Sequence, residues 1–263
     1  MTDVVIKPIP AFTDNYFWCV YREEKAAAVV VDPGAAGPVF SYLERKGLEL
    51  HTILITHHHA DHIGGVAELL RRFPSALVYG PKREAVPHIT HSLVGDEEIE
   101  LGVLGLKFRV IDVPGHTSGH IAYYCSAHTP PILFCGDTLF SVGCGRLFEG
   151  TAEQLYASLQ TLAALPATTC VYCAHEYTMS NIRFAKEVEP LNPDLVNYER
   201  QVRSLREKNI PSLPTTIGLE LSVNPFLRVS HDAVMQGVSA HSGVNVNSPQ
   251  EVFSQLRRWK DVF

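Results

Sequence analysis

Hydrophobic and polar positions give the chain two textures. Up to about residue 174, short apolar runs of strand length alternate with amphipathic helical stretches. Val4-Val5-Ile6, Tyr16-Phe17-Trp18-Cys19-Val20-Tyr21 and Ala27-Ala28-Val29-Val30-Val31 read as strands, because β-branched and aromatic residues suit a pleated, packed surface. Asp32-Pro33-Gly34 punctuates the third with a turn. Residues 38–46 set Val39, Phe40 and Leu43 on one side of a helix, and the buried run Ile53-Leu54-Ile55 follows. Ile63, Val66, Leu69 and Leu70 then recur at helical spacing. Further strands are predicted at 77–79, 98–103, 106–113, 120–125, 132–135 and 170–174. Thr151-Ala152-Glu153-Gln154 carries the capping-box pattern and opens a helix to about Leu165.

After His175 the strand signal stops. Residues 178–189, 193–209 and 248–261 read as helices. Asn192-Pro193 and Ser248-Pro249 each put an N-capping side chain before a proline at the first helical position, the second with Glu251 as capping glutamate. The pattern therefore predicts an α/β part over residues 1–174 and an all-α part over 175–263.

At 263 residues with 46% hydrophobic content, and without an unbroken apolar run of membrane-spanning length, a soluble globular protein is expected. The opening residues, Met1-Thr2-Asp3-Val4, show no basic stretch followed by an apolar one, so no signal peptide is expected. The six cysteines lie mostly in apolar strand-like runs, the pattern of buried thiols in a reducing cytoplasm. Cys170-Val171-Tyr172-Cys173 has no second pair with which to build a zinc site. A formal charge of −6 argues against nucleic acid as a partner and means that an anionic ligand needs a local basic patch. Neither a membrane nor a partner chain is indicated, and a monomer is expected.

The candidate chemistry starts at Thr56-His57-His58-His59-Ala60-Asp61-His62. Four histidines and a carboxylate within six residues suit no ordinary core, whereas neutral imidazole and carboxylate are what borderline divalent metals prefer. His57, His59 and Asp61 alternate and His62 follows directly, so a turn here can aim ligands at two neighbouring points. Three other strand ends add donors: Pro114-Gly115-His116-Thr117, Gly136-Asp137-Thr138 and Ala174-His175. Functional residues gather where loops leave rigid strands. Zinc, iron and manganese all accept this mixture of donors.

Together these four motifs resemble the metallo-β-lactamase superfamily. Gly143-Cys144-Gly145-Arg146-Leu147-Phe148-Glu149-Gly150, the stretch His175-Glu176-Tyr177 to Ala185, and Arg257-Arg258-Trp259-Lys260 narrow the resemblance to its glyoxalase II (hydroxyacylglutathione hydrolase) family. The resemblance implies an αββα sandwich with a C-terminal helical domain that binds substrate. It implies two divalent ions, chiefly Zn2+, and hydrolysis of S-D-lactoylglutathione to glutathione and D-lactate, a step of methylglyoxal detoxification. By position it assigns His57, His59 and His116 to the first ion and Asp61, His62 and His175 to the second, with Asp137 bridging. The resemblance implies Asp61 and Asp137 as the catalytic carboxylates, and the alternation leaves His58 to support the ligands from behind. Glutathione contacts are implied for Arg146, Phe148, Tyr177, Arg257 and Lys260. Arg146 and Phe148 depart from the lysine and tyrosine of the animal enzymes, so any hydrogen bond made by that tyrosine hydroxyl is absent. Two other readings share the ligands: a different hydrolase of the superfamily, and an iron-dependent persulfide dioxygenase using one metal.

Overall fold

A computed structural model describes residues 3–263; Met1 and Thr2, where the leader was sought, lie outside the described residues. The chain divides into two compact units, Met1–Asp112 with Ser118–Gly136, and Val113–Thr117 with Asp137–Phe263. Among the described residues no helix is long and apolar enough to cross a membrane.

The first unit begins with β1 (Val4–Ala11), β2 (Asn15–Arg22) and β3 (Ala27–Val31). Then come α1 (Ala36–Lys46), β4 (Glu49–Leu54), α2 (Ala60–Ile63), α3 (Val66–Arg72), β5 (Leu77–Pro81) and β6 (His91–Leu93). These six strands make one sheet in sequence order. The β1–β2–β3 pairs are antiparallel, and the β3–β4–β5–β6 pairs are parallel, with helices in the first two parallel connections and a helix-free loop in the third. Phe17, Cys19, Ala28, Val30 and Ile53 on one face pack with Val39 and Leu43 of α1 and Val66 and Leu69 of α3. Their strand neighbours Trp18, Val20, Val29, Val31 and Leu54 are buried too. A strand covered on both faces reads as a continuous apolar run, which explains the uninterrupted pattern of β2 and β3.

A second sheet of this unit pairs four strands in sequence order. Its strands are β7 (Glu98–Leu101), β8 (Leu106–Asp112), β9 (Ile121–Cys125) and β10 (Ile132–Phe134). The buried Tyr123 of β9 donates its hydroxyl to the Ile55 carbonyl at 2.8 Å, which ties this sheet to the end of β4. Each fully buried aliphatic or aromatic side chain contributes roughly 1.5–3 kcal/mol, so stacked apolar faces fix the strand ends from which the ligands emerge.

The second unit carries the hairpin β11 (Leu139–Phe140) and β12 (Gly143–Cys144), α4 (Ala152–Ala163), β13 (Cys170–Tyr172), α5 (Thr178–Val188) and α6 (Pro193–Arg206). It continues with β14 (Thr215–Thr216), α7 (Ile217–Val223), α8 (Asp232–Ser242) and α9 (Pro249–Val262). The three caps form as the sequence predicts. Thr151 and Gln154 bond reciprocally, and Asn192 and Ser248 accept from the first turns of α6 and α9. Glu251 differs in one respect: it accepts from the Asn247 N–H at 2.8 Å, one residue before the N-cap. Strand β14 and helices α7 and α8 fall where the sequence reading left no strand and no helix. The helix expected from Ile63 onward is interrupted at Gly64-Gly65 between α2 and α3.

Candidate metal centre

In the first unit, β4 ends at Leu54 and the motif loop follows. His57 Nε2 and His59 Nδ1 lie 3.1 Å apart, and His62 Nε2 lies 3.5 Å from Asp61 Oδ2. Two pairs of donor atoms therefore converge.

Asp32, buried at the end of β3, organises this loop. Its Oδ1 accepts the Thr56 N–H at 2.8 Å and its Oδ2 accepts the Thr56 hydroxyl at 2.7 Å. Since that hydroxyl proton is spent on Asp32, the 3.1 Å contact between Thr56 Oγ1 and His57 Nδ1 has the ring as donor. His57 is thereby left with its lone pair on Nε2. His62 Nδ1 lies 3.1 Å from Asp32 Oδ2, which favours the same tautomer. Carboxylate–histidine pairs of this kind orient metal ligands. Gly136, with φ 48°, ends this unit; a Cβ there would fall 2.3 Å from Thr56 Oγ1, so only glycine lets the two loops approach.

The second unit supplies His116 beyond β8, Asp137 beyond β10 and His175 beyond β13. Asp137 turns Oδ2 toward His116 Nε2 at 3.5 Å and Oδ1 toward His175 Nε2 at 3.4 Å. One carboxylate thus faces two histidines with different oxygens, the arrangement a bridging ligand needs. His116 Nδ1 donates to the Arg146 carbonyl at 2.8 Å, fixing its lone pair on Nε2 as well.

Within the first unit the donor atoms of His57, His59, Asp61 and His62 gather, and within the second those of His116, Asp137 and His175 do. Five imidazoles and two carboxylates make a donor set compatible with a binuclear metal site. All seven metal candidates read from the sequence lie in one or other of these clusters.

The substrate candidates all lie in the second unit. Phe148 is 63% exposed, with its ring edge-on to His116 at 5.3 Å. Tyr177, at the N-cap of α5, stacks on His175 at 4.6 Å and 7°. Arg146 is exposed and reaches Asp261 through Nε at 3.5 Å. Lys260 Nζ stands over the rings of Phe184 and Phe263 at 5.1 and 5.4 Å. Burial, with Arg257 and Arg183 adding repulsion, pulls its ammonium down to about 8. Arg257 belongs to the buried face of α9, at 5% exposure. It donates to the Cys144 and Gly145 carbonyls at 3.2 and 3.4 Å and to Asp261 at 3.1 Å. It therefore braces the 144–146 loop from behind.

Sequence reasoning passed over Asp32, reading Asp32-Pro33-Gly34 as a turn, and over Asn15, whose amide donates to Asp61 Oδ2 at 3.0 Å. The available signal for Asp32 was the one used for Asp137, a carboxylate directly after a buried strand. Among the described residues no disulfide forms. Burial pushes the Cys19 and Cys144 thiols up to about 12 and about 11, so both are unreactive at neutral pH.

Fold and site define the class. The metallo-beta-lactamase superfamily model matches residues 16–175, and the chain is a member of that superfamily. A solved B3 metallo-beta-lactamase, BLEG-1, superposes with a TM-score of 0.64 at 27% identity, covering 85% of this chain and 99% of that one. TTHA1623 in a di-iron-bound form does so with a TM-score of 0.59 at 25% identity, covering 84% and 100%. Within the class, the model of the hydroxyacylglutathione hydrolase C-terminus matches residues 176–263. The hydroxyacylglutathione hydrolase of Aliivibrio salmonicida (strain LFI1238) is 53% identical over 260 residues, covering 99% of this chain and all of that protein. The chain belongs to the hydroxyacylglutathione hydrolase family.

Proposed function

We propose that the protein hydrolyses S-D-lactoylglutathione, and related S-2-hydroxyacylglutathiones, to glutathione and the free hydroxy acid. Two divalent ions, Zn2+ first with iron or manganese as alternatives, are held by His57, His59 and His116 and by Asp61, His62 and His175, with Asp137 shared. When bound, such a pair supplies a water ionised near neutral pH and polarises the thioester carbonyl. The observation that carries this reading is Asp137, whose two oxygens address His116 and His175 separately.

The chain's residues then divide the work. Asp61, pinned by Asn15, points the attacking oxygen at the carbonyl carbon. The C–S bond breaks as the C–O bond forms, and a thiolate leaves without a strong general acid. Tyr177 and Phe148 flank the metal ligands His175 and His116 and border the thiol side. Arg146 and Lys260 offer cations to the carboxylates of glutathione, while Arg257 holds the loop that carries Arg146. A chain of net charge −6 needs such a local patch.

Metal content per chain, measured together with S-D-lactoylglutathione hydrolysis, tests the proposal. Two equivalents and activity are expected in the parent, and loss of both together in Asp137→Ala. A fully active Asp137→Ala with unchanged metal sinks the binuclear reading.

A further inference from the structure

We propose that Glu84 is a positioning residue of the metal centre. By clamping His58, the middle histidine of the motif, it turns the flanking His57 and His59 to one ion. The inference rests on the binuclear reading above.

Glu84 lies in the segment after β5, and its side chain is 1% exposed. Oε2 accepts the His58 backbone N–H at 2.6 Å and the His58 ring at Nδ1 at 2.9 Å. Oε1 accepts the Gly119 N–H at 3.1 Å. One carboxylate therefore holds both the backbone and the ring of His58, and joins them to the segment after the His116 loop. The fit is close: a Cβ on Gly119 would stand 2.6 Å from Glu84 Cγ and 2.9 Å from the Arg83 carbonyl. Glycine at 119 is what lets the carboxylate reach both partners.

The clamp has a geometric consequence. The backbone at His59 is extended, φ −61° and ψ 146°, and the rings of His58 and His59 meet edge to face at 5.2 Å. Holding the backbone N–H and the ring of His58 therefore fixes the stretch from which His57 and His59 project and limits the turn of the neighbouring ring. Nε2 of His57 and Nδ1 of His59 come within 3.1 Å. In one tautomer of His59 this contact is a hydrogen bond; with both lone pairs turned inward, as holding a cation requires, the two nitrogens repel until the cation stands between them. A rigid support is needed to hold them convergent before the ion arrives. Hydrogen bonds to an ionised acceptor are roughly twice as strong as neutral ones, which suits Glu84 to that task. Supporting groups of this kind are worth about 10–100-fold in metal affinity.

The test is zinc(II) affinity by competition with a chromophoric chelator, on the parent, Glu84→Ala and Glu84→Gln, well below the melting temperature of each metal-free protein. Expected is a loss of about 10–100-fold in Glu84→Ala, concentrated in one of two equivalents. The kcat should fall in step with lost metal and recover with added zinc, while KM stays unchanged. Glu84→Gln, which keeps the shape but not the charge, should show a smaller loss in the same direction, and it decides alone where the alanine variant does not fold. Cobalt(II) in place of zinc should give a shifted visible spectrum in both. Parental affinity for both equivalents in the folded variants, even with a lowered Tm, overturns the proposal and makes Glu84 a buttress only. A parent chain that takes up no zinc overturns the binuclear reading and this inference with it.

Discussion

The guanidinium of Arg257 is committed to the carboxylate of Asp261, with Nε 3.1 Å and Nη2 3.0 Å from the same oxygen. The pair is an i,i+4 contact on α9 and is largely buried, unlike an exposed pair worth little. It separates Arg257 from Lys260, both of which the family resemblance assigned to glutathione contacts.

Lys260→Ala is therefore expected to raise KM for S-D-lactoylglutathione about tenfold with kcat nearly intact, since it removes a contact shared by ground and transition states. Arg257→Ala should lower kcat as well and reduce Tm, because it releases the Cys144 and Gly145 carbonyls and leaves Asp261 half-buried without its partner. Steady-state kinetics and thermal melts on the two variants check this. Equal KM effects with unchanged Tm would make Arg257 a substrate contact alongside Lys260.

Lys260 also sets a pH dependence. Its pKa is lowered to about 8, by burial first and by neighbouring arginines second. In the proposed complex it is the protonated form that binds the anionic substrate, and that form is present below pH 8 and lost above it. KM is therefore expected to rise above pH 8, about tenfold by pH 9, where only about a tenth of the ammonium remains. Lys260→Arg should flatten the rise, because a guanidinium stays charged. A KM equally steep in parent and variant assigns the titration to another group.

Asp32→Asn tests the support behind His57 and His62. Only one amide oxygen remains to accept, so either the Thr56 N–H bond or the contacts of the Thr56 hydroxyl and His62, which share the other oxygen, must be lost. Metal affinity should fall by about 10–100-fold, read by chelator competition, with the fold retained by far-ultraviolet circular dichroism. Parental affinity in the variant would show that the tautomers are fixed elsewhere.

His59→Ala and His58→Ala separate ligand from neighbour. The first removes direct coordination and should lower kcat by orders of magnitude. The second should act chiefly on metal retention, and excess metal should restore most of its activity. Two variants equally inactive when equally folded and metallated would show that the alternation misplaces His58.

What the sequence determined by itself is the local chemistry. Metal ligation admits few residue types, so His57, His59, Asp61, His62, His116, Asp137 and His175 stood out as candidates at strand ends before any contact was known. The caps Thr151, Asn192 and Ser248 were legible for the same reason, since each acts within its own first turn. Tertiary structure alone decided the rest. Strands of two residues such as β14, or the β11–β12 hairpin, have no pattern of their own and exist by pairing. Helix α8 shows only Val234 and Val238 buried, too thin a stripe to announce itself. Glu84 is a single carboxylate whose partner lies 26 residues away, and nothing in local spacing marks it; Asp32 follows a buried strand, but its partner 24 residues on is not written in that position. Arg257 reads as one more cation on a polar face until folding carries carbonyls from 112 and 113 residues upstream onto it. Hydrogen-bond partners distant in sequence are chosen by packing, and packing is settled only when the sheets and helices close on one another.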